Sequence, residues 1–223
     1  MTETIRVLVV DDHRLFAEAL GLLLVHHPGF ELMGSAADAR EALELCLERA
    51  PDVVLMDIDL PGMDGIEATA RIREQCPDAR VVVVTAMESP GLIARALAAG
   101  ACGFVPKTKA SEDLVGIITR AAAGEIVMPA GDLALVLAEL QMERPADEHP
   151  GHLLASLTDR ETEILQALAE GRSTVEVADL LAISPLTVQS HVKSILAKLG
   201  VHSKIEAVTL AWRHGLATFS RTA

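Results

Sequence analysis

The sequence predicts an α/β domain built on a doubly wound parallel sheet, followed by a smaller domain made only of helices. In the first part of the 223-residue chain, short runs of β-branched residues alternate with Ala- and Leu-rich segments of helical spacing. The runs at 53–56 and 81–84 are apolar at every position, as strands covered on both faces by helices should be. After residue 151 there are no strand signals, and only helical segments follow.

Five strands alternating with five helices are predicted between residues 5 and 121. The strands are expected at Ile5–Val10, Phe30–Ser35, Val53–Met56, Val81–Thr85 and Cys102–Val105. Strands joined through helices in this way run parallel, because each helical crossover returns the chain to the same edge of the sheet. The common strand order for such a domain is 2-1-3-4-5.

A change in sequence character at Gly124 divides the chain. We expect a first domain at residues 1–123, a connecting segment at 124–151 that contains a helix at 131–142, and a second domain at 152–223. The helix is followed by ERPADEHPGH, whose two prolines and lack of hydrophobic periodicity are typical of a linker.

The second domain is expected to contain four helices, at about 158–169, 174–181, 185–199 and 203–214. Capping-box sequences at 158–161 and 203–206 mark two of the helix starts. Ser184 followed by Pro185 marks a third, with proline at the first helical position.

The charge is distributed unevenly between the two domains. A formal net charge of −13 by itself argues against nucleic-acid binding. However, residues 1–123 carry 11 Lys and Arg against 19 Asp and Glu, whereas residues 152–223 carry 7 of each. The C-terminal domain therefore has no excess of acidic residues, and its charge is compatible with binding DNA.

No secretory or membrane signal is visible, since no basic start with an apolar stretch and no run of about 18 apolar residues occurs. Cys46, Cys76 and Cys102 form no C-x-x-C pair, so they predict neither a zinc site nor a disulfide framework. We expect three buried, reduced thiols in a cytoplasmic protein with no membrane partner.

Polar side chains follow the ends of the predicted strands: Asp11 and Asp12 the first, Asp57 the third, Thr85 the fourth and Lys107 the fifth. In the order 2-1-3-4-5 the first and third strands are neighbours, so the three carboxylates share one pocket. Their repulsion favours Mg²⁺, which takes one or two carboxylates and completes its shell with water and phosphate oxygens. Beside such an ion Asp57 is the expected nucleophile toward a phosphoryl group, whose charge Thr85 and Lys107 would stabilise.

The stretches VLVVDDH, DVVLMDIDLPGMDG, VVVVTA and GACGFVPK resemble the receiver domain of two-component response regulators, over essentially all of residues 5–121. The resemblance implies a flavodoxin-like (βα)5 fold with Asp57 as the phosphoacceptor. It also implies that Asp12 binds the metal directly, that Asp11 supports it through water, and that Asp59 offers its backbone carbonyl.

Three further roles follow from the same resemblance. Thr85 is the implied switch hydroxyl, and Lys107 the amine that pairs with the phosphate. Phe104, which stands where Tyr is more frequent, is the implied aromatic side chain that swings inward when Thr85 moves.

Two other interpretations of the first domain remain open. A haloacid-dehalogenase-type phosphatase also has D-x-D after an apolar strand, but there the motif lies on the first strand, whereas Asp57 and Asp59 follow the third. A degenerate receiver would control DNA binding without phosphate, but every element of the acidic site is present here. Taken alone, Asp59 would be a solvated loop acid.

The helices at 174–181 and 185–199 are separated by the short turn AIS, the spacing of a helix-turn-helix whose second helix enters the major groove. An apolar stripe on that second helix must face the core; it consists of Val188, Val192, Ile195, Leu196 and Leu199. Residues 157–216 are similar to the LuxR-type four-helix DNA-binding domain, and the pairing of domains resembles the NarL/FixJ class. A protein-docking helical module is the alternative.

By this resemblance Gln189, Ser190 and Lys193 are expected to read bases. The candidates for contacts with the DNA backbone are Thr187, His191, Lys198, Ser173 and Thr174. For His191, a buried and hydrogen-bonded ring is the alternative. Gln189 and Val175 stand where many relatives carry Lys, which predicts a shallower salt dependence, and Gln favours an A·T step in the half-site.

Together these features predict a phosphorylation-dependent transcriptional regulator. A sensor histidine kinase is expected to phosphorylate Asp57, shifting the receiver between two states. The active form is expected to bind a double-stranded DNA operator as a homodimer, with the 203–214 helix a dimer surface by the resemblance. Apart from phosphotransfer to itself and loss of that phosphate, no enzymatic activity is expected.

Overall fold

A computed structural model describes residues 4–86, 89–128, 154–201, 204–213 and 216. The chain forms two compact units that divide between residues 136 and 137. The helix predicted at 131–142 and the linker sequence that follows it lie outside the described residues.

A five-stranded parallel sheet with the order β2-β1-β3-β4-β5 forms the centre of the first unit. Its strands are β1 Ile5–Val10, β2 Phe30–Ala36, β3 Val53–Met56, β4 Arg80–Thr85 and β5 Gly103–Pro106. The predicted fold class and strand order are therefore confirmed, and no strand end differs from its predicted position by more than one residue.

Alternate side chains of the strands enter two hydrophobic clusters, one on each face of the sheet. Val7 and Val9 of β1 pack on one side, and Leu8 and Val10 pack on the other. Because all four side chains are almost completely buried, β1 has the continuous apolar character that a doubly covered strand requires.

Six helices accompany the sheet in the part of the first unit that the structure describes, residues 4–86 and 89–128. They are α1 Arg14–Val25, α2 Ala39–Arg49, α3 Gly65–Gln75, α4 Pro90–Ala98, α5 Lys107–Glu112 and α6 Leu114–Ala122. The prediction of five helices is wrong at the last crossover, where Asp113 interrupts the helix. Asp113 has φ −135° and ψ 44°, and its carboxylate accepts a hydrogen bond from the Gly116 N–H at 3.2 Å, so it starts a new helix.

After α6 the chain returns to the outer edge of the sheet. Val127 forms an isolated parallel bridge with Gly103. The Phe104 N–H donates to the Val127 carbonyl at 2.7 Å, and the Val127 N–H donates to the Cys102 carbonyl at 3.1 Å. A Cβ at position 103 would lie only 2.3 Å from the Val127 carbonyl oxygen, so this contact requires glycine.

The described residues of the second unit contain four helices: α7 Asp159–Ala169, α8 Thr174–Leu181, α9 Pro185–Leu199 and α10 Lys204–Arg213. Capping boxes at Thr158 and Ser173 start the first two, and Ser184 caps the third. The capping box predicted at 203–206 includes Ser203, which lies outside the described residues. The four-helix prediction for this domain is confirmed.

The apolar stripe of α9 faces the centre of the second unit as predicted. Val188, Ile195 and Leu199 are buried, and Val192 and Leu196 are half-buried. The helix ends at Gly200, which adopts a left-handed conformation with φ 64°.

The cysteines are all free thiols, but only Cys46 is buried. Cys76 and Cys102 are half-buried, so the expectation of three buried thiols is wrong for these two. Among the residues that the structure describes, no helix is both long and apolar enough to cross a membrane.

Candidate functional site

Two carboxylates are fixed at the carboxyl edge of the sheet, because the backbone pairing extends beyond the strands. The Asp57 N–H donates to the Val10 carbonyl at 2.8 Å, and the Asp11 N–H donates to the Ala36 carbonyl at 3.0 Å. Asp11 is 4% exposed and Asp57 2% exposed, whereas Asp12 is exposed. The predicted juxtaposition of these side chains is present.

Lys107 neutralises this pocket from the start of α5. Its Nζ lies 2.6 Å from Asp11 Oδ2 and 2.8 Å from Asp57 Oδ2, and 5.0 Å from the centre of the Phe16 ring. Burial alone would lower the pKa of Lys107, but hydrogen bonds to both carboxylates outweigh it and raise the pKa above its ordinary value. The ammonium is therefore charged at neutral pH and compensates two otherwise costly buried carboxylates.

The loop after Asp57 is held by its own backbone. The Ile58 N–H donates to Asp57 Oδ1 at 2.8 Å, and the N–H groups of Leu60 and Gly65 both donate to the Ile58 carbonyl at 2.9 Å. Gly65 approaches so closely that a Cβ there would lie 1.9 Å from the Asp57 carbonyl oxygen. The side chain of Asp59 is exposed on this loop.

Thr85 and Phe104 lie on neighbouring strands next to the pocket. Thr85 ends β4 and is completely buried, and it pairs in register with Pro106, the residue before Lys107. Phe104 is 1% exposed, so its ring is packed inside the protein.

His13 is a member of this site that sequence reasoning missed. A ring nitrogen of His13 and one carboxylate oxygen each from Asp11, Asp12 and Asp57 all lie within 4.8 Å of one another. Its Nδ1 is 2.7 Å from Asp12 Oδ1. The sequence signal was the adjacency of a histidine to the acidic pair in DDH. The structure thus has a cluster that could hold a metal ion.

In the second unit the residues predicted to read bases lie along α9. Ser190 and Lys193 are exposed, and Gln189 is half-buried. Ser190 Oγ donates to the Leu186 carbonyl at 3.0 Å. Leu186, with 71% of its surface exposed at the start of the same helix, was not singled out from the sequence.

The predicted backbone contacts differ in accessibility. Thr187 is exposed, with its hydroxyl 2.8 Å from Ser184 Oγ, and His191 is half-buried. Ser173 is the N-cap of α8. Thr174 is 3% exposed, and its hydroxyl accepts a hydrogen bond from Lys204 Nζ at 3.2 Å, so its side chain faces inward.

Lys198 belongs to a polar network inside the bundle. Its Nζ donates to Glu161 Oε2 at 2.6 Å, and Ser194 Oγ donates to Glu161 Oε1 at 2.6 Å. Burial of Glu161 would raise the pKa of its carboxyl, but hydrogen bonds from Lys198, Ser194 and Thr158 outweigh it and lower the pKa to about 2. These hydrogen bonds link α9 to α7.

Acidification is expected to destabilise the second unit through Glu161. Its pKa is lower in the folded than in the unfolded protein, so its contribution is complete above about pH 5 and is lost as the pH falls toward 2. The free energy of unfolding should fall by about 2 kcal/mol, a value that allows for solvent screening at half-exposed Lys198. Urea titrations at several pH values, followed by fluorescence of the single tryptophan, Trp212 in α10, would measure it.

Glu161→Gln should remove most of this pH dependence. Glu163→Gln is the matched control, because Glu163 lies on the same helix and its partner Arg160 forms an exposed pair with it at 2.8 Å. An equal change in pH dependence for both variants would contradict the assignment to Glu161.

The sheet order, the buried aspartates paired with a lysine and the helix-turn-helix unit define a response regulator with a DNA-binding output domain. Residues 7–119 match the response regulator receiver domain, and residues 155–211 match the luxR family of bacterial regulatory proteins. The chain therefore belongs to the response regulators of the NarL/FixJ class, as its sequence predicted.

Relatives and solved structures agree with this assignment. The chain is 34% identical to response regulator UvrY of Escherichia coli K12 over 212 residues, which cover 95% of each chain. It is 35% identical to transcriptional regulatory protein LiaR of Bacillus subtilis 168, with 95% of this chain and 99% of LiaR covered. A LuxR-family two-component response regulator from Aurantimonas sp. SI85-9A1 matches with a TM-score of 0.57 and 37% identity, covering 63% of this chain and all of that one.

Proposed function

We propose that this protein is a transcriptional regulator that a sensor histidine kinase activates by phosphorylating Asp57. The observation that carries the proposal is the pairing of one ammonium, Lys107, with two buried carboxylates, Asp11 and Asp57, at the edge of the sheet. A structural ion pair would need only one carboxylate. A second buried acid beside the first is typical of a site that handles a cation and a phosphoryl group.

In the proposed reaction a carboxylate oxygen of Asp57 attacks the phosphorus of a phosphohistidine on the kinase. The P–N bond breaks, its electrons return to the imidazole, and an acyl phosphate forms on Asp57. The ammonium of Lys107 lies beside the attacking oxygens and would stabilise the added negative charge. The protein modifies only itself in this scheme and is not otherwise an enzyme.

Mg²⁺ fits the donors of this pocket, which are oxygens of three aspartates and a backbone carbonyl. Asp11, Asp12 and Asp57, with the carbonyl of Asp59, would hold it. When bound, the ion would neutralise phosphoryl oxygens and screen the carboxylates from one another.

The response to phosphorylation is proposed to be a population shift between two receiver states. Thr85 and Phe104 are buried and lie on the neighbouring strands β4 and β5, so we expect a change at Thr85 to be accompanied by repacking of Phe104. The helix-turn-helix unit would then bind a double-stranded DNA operator as a homodimer in the cytoplasm. The helix α10 is the proposed dimer surface of that unit.

Intact-mass measurement after incubation with acetyl phosphate and Mg²⁺ tests the proposal. The wild-type protein should gain the mass of one phosphoryl group, and Asp57→Asn should gain none. An operator selected from genomic DNA with the phosphorylated protein should bind it at least tenfold more tightly than it binds the unphosphorylated protein.

Each failure of this test has a different meaning. Phosphorylation without a change in DNA affinity would contradict phosphate control, and the absence of phosphorylation would favour a degenerate receiver. Steady hydrolysis of a phosphomonoester would favour the phosphatase interpretation.

Two substitutions on α9 should separate base reading from phosphate binding. Gln189→Ala is expected to reduce the difference in binding free energy between an A·T pair and other base pairs at one position by about 1–3 kcal/mol. The substitution removes the side-chain amide that can form two hydrogen bonds to adenine. Thr187→Ala, at an exposed residue predicted to contact the DNA backbone, should instead weaken binding to all sites equally, because a phosphate contact carries no sequence information. Binding to operator variants measures both effects, and unchanged preference at every base in Gln189→Ala would contradict its role.

A further inference from the structure

We infer that His13 supplies a nitrogen ligand to the acidic pocket and shifts its metal preference from Mg²⁺ toward first-row transition metals such as Ni²⁺. The inference rests on the proposed metal site and adds a residue to it. Its starting point is the position of His13: one of its ring nitrogens and one carboxylate oxygen from each of three aspartates all lie within 4.8 Å of one another.

The local structure does not account for a histidine at this position. His13 is the N-cap of α1, yet its side chain makes no capping hydrogen bond. The N-caps of α2, α3, α4 and α6 all accept one, through Asp38, Asp64, Ser89 and Asp113. The imidazole of His13 is 68% exposed and is not part of the core.

The contacts of the imidazole are instead with the acids of the pocket. Its Nδ1 lies 2.7 Å from Asp12 Oδ1 and 3.4 Å from Asp11 Oδ1, and the His13 N–H donates to Asp11 Oδ1 at 2.8 Å. Neighbouring ligands of one ion with bonds of about 2.1 Å lie about 3 Å apart, so Nδ1 and Asp12 Oδ1 already have the spacing of two ligands that share an ion.

The dimensions of the cluster also suit a metal ion. Ligands about 2.1 Å from one ion are at most about 4.2 Å apart, so atoms already within 4.8 Å need only small side-chain rotations to share an ion. Imidazole binds Ni²⁺, Zn²⁺ and Cu²⁺ well, whereas Mg²⁺ prefers oxygen. A nitrogen added to three carboxylates therefore strengthens transition-metal binding more than Mg²⁺ binding.

Calorimetric titration of the full chain with Ni²⁺ and with Mg²⁺ tests the inference. His13→Ala should weaken Ni²⁺ binding at the pocket by at least about tenfold, and Mg²⁺ binding by less than about threefold. His26→Ala is the matched control, because His26 is an exposed histidine in the same unit, just after α1, with its Nδ1 on the Leu22 carbonyl. It should leave binding at the pocket unchanged.

Pulsed electron paramagnetic resonance of bound Mn²⁺ provides a second readout that does not depend on affinity. A directly coordinated nitrogen should be seen in the wild type and be absent in His13→Ala. Equal losses of Ni²⁺ and Mg²⁺ affinity without a nitrogen signal would make His13 a positioning residue for Asp12 and overturn the inference. If Asp57→Asn changes the binding of neither ion, the proposed metal site itself is wrong. If Asp57→Asn abolishes Mg²⁺ binding but His13→Ala leaves the preference for Ni²⁺ over Mg²⁺ unchanged, only the inference about His13 is wrong.

Discussion

Lys107→Met is expected to lower the free energy of unfolding of the receiver by about 3–5 kcal/mol in the absence of metal ions. The substitution keeps most of the side-chain volume but removes the ammonium that pairs with Asp11 at 2.6 Å and Asp57 at 2.8 Å. Both carboxylates are almost completely buried, so they would be left with mutual repulsion and no cation. Urea unfolding at neutral pH, followed by circular dichroism, measures the loss.

Lys109→Met is the matched control for this prediction. Lys109 lies two residues further along α5, and its pair with Glu112 is largely exposed, so its loss should leave the free energy of unfolding nearly unchanged. Adding Mg²⁺ should restore more stability to Lys107→Met than it adds to the wild type, because the ion replaces the missing cation. Equal effects of Mg²⁺ on both proteins would show that the carboxylates do not depend on Lys107.

Gly65→Ala is expected to destabilise the receiver by more than about 3 kcal/mol, the range of severe overpacking. A Cβ at this position would lie 1.9 Å from the Asp57 carbonyl oxygen and 2.9 Å from the Ile58 Cα, and both of these atoms belong to backbone. The methyl group fits only if the loop after β3 moves, and that loop positions Asp57. Thermal unfolding would report the lost stability, and titration with Mg²⁺ would report the displaced carboxylate.

Gly62→Ala separates this steric effect from backbone strain. Gly62 lies in the same loop with φ 82°, but a Cβ there would meet no atom within 4 Å. Its cost should be only the strain of a left-handed alanine, about 1–2 kcal/mol. If both substitutions had the same effect, the close approach of Gly65 to Asp57 would not be the cause.

Hydrophobic pattern was sufficient to predict every strand of the receiver. A run such as Val53–Met56, apolar at each position and followed by a charged residue, fits a strand covered on both faces. Once the strand order was set, the side chains that follow the strands had to meet at one edge. For that reason the pocket of Asp11, Asp57 and Lys107 was predictable before any distance was known.

Features that depend on side-chain rotamers or on helix packing were not predictable. Glu161 fits a local capping box, which already accounts for its residue type, whereas its bond to Lys198 joins residues 37 positions apart. The direction of the His13 imidazole has no periodic signature. The break at Asp113 was missed because α5 contains a single apolar residue, Ala110, and so has no periodic pattern of its own, although an aspartate before Leu114 is a common helix start.

The bridge between Gly103 and Val127 also determines how the chain leaves the receiver. Val127 is hydrogen-bonded on both sides, to Cys102 and to Phe104, so any sliding of β5 must carry the exit point of the connecting segment with it. Tension applied to that segment would act on β5 through these two hydrogen bonds, and on α6 through the chain itself and through Arg120, which donates to the Ile126 carbonyl at 3.1 Å. β5 ends directly before Lys107. A mechanical route therefore connects residue 127 to the acidic pocket along a single strand, without passing through a helix.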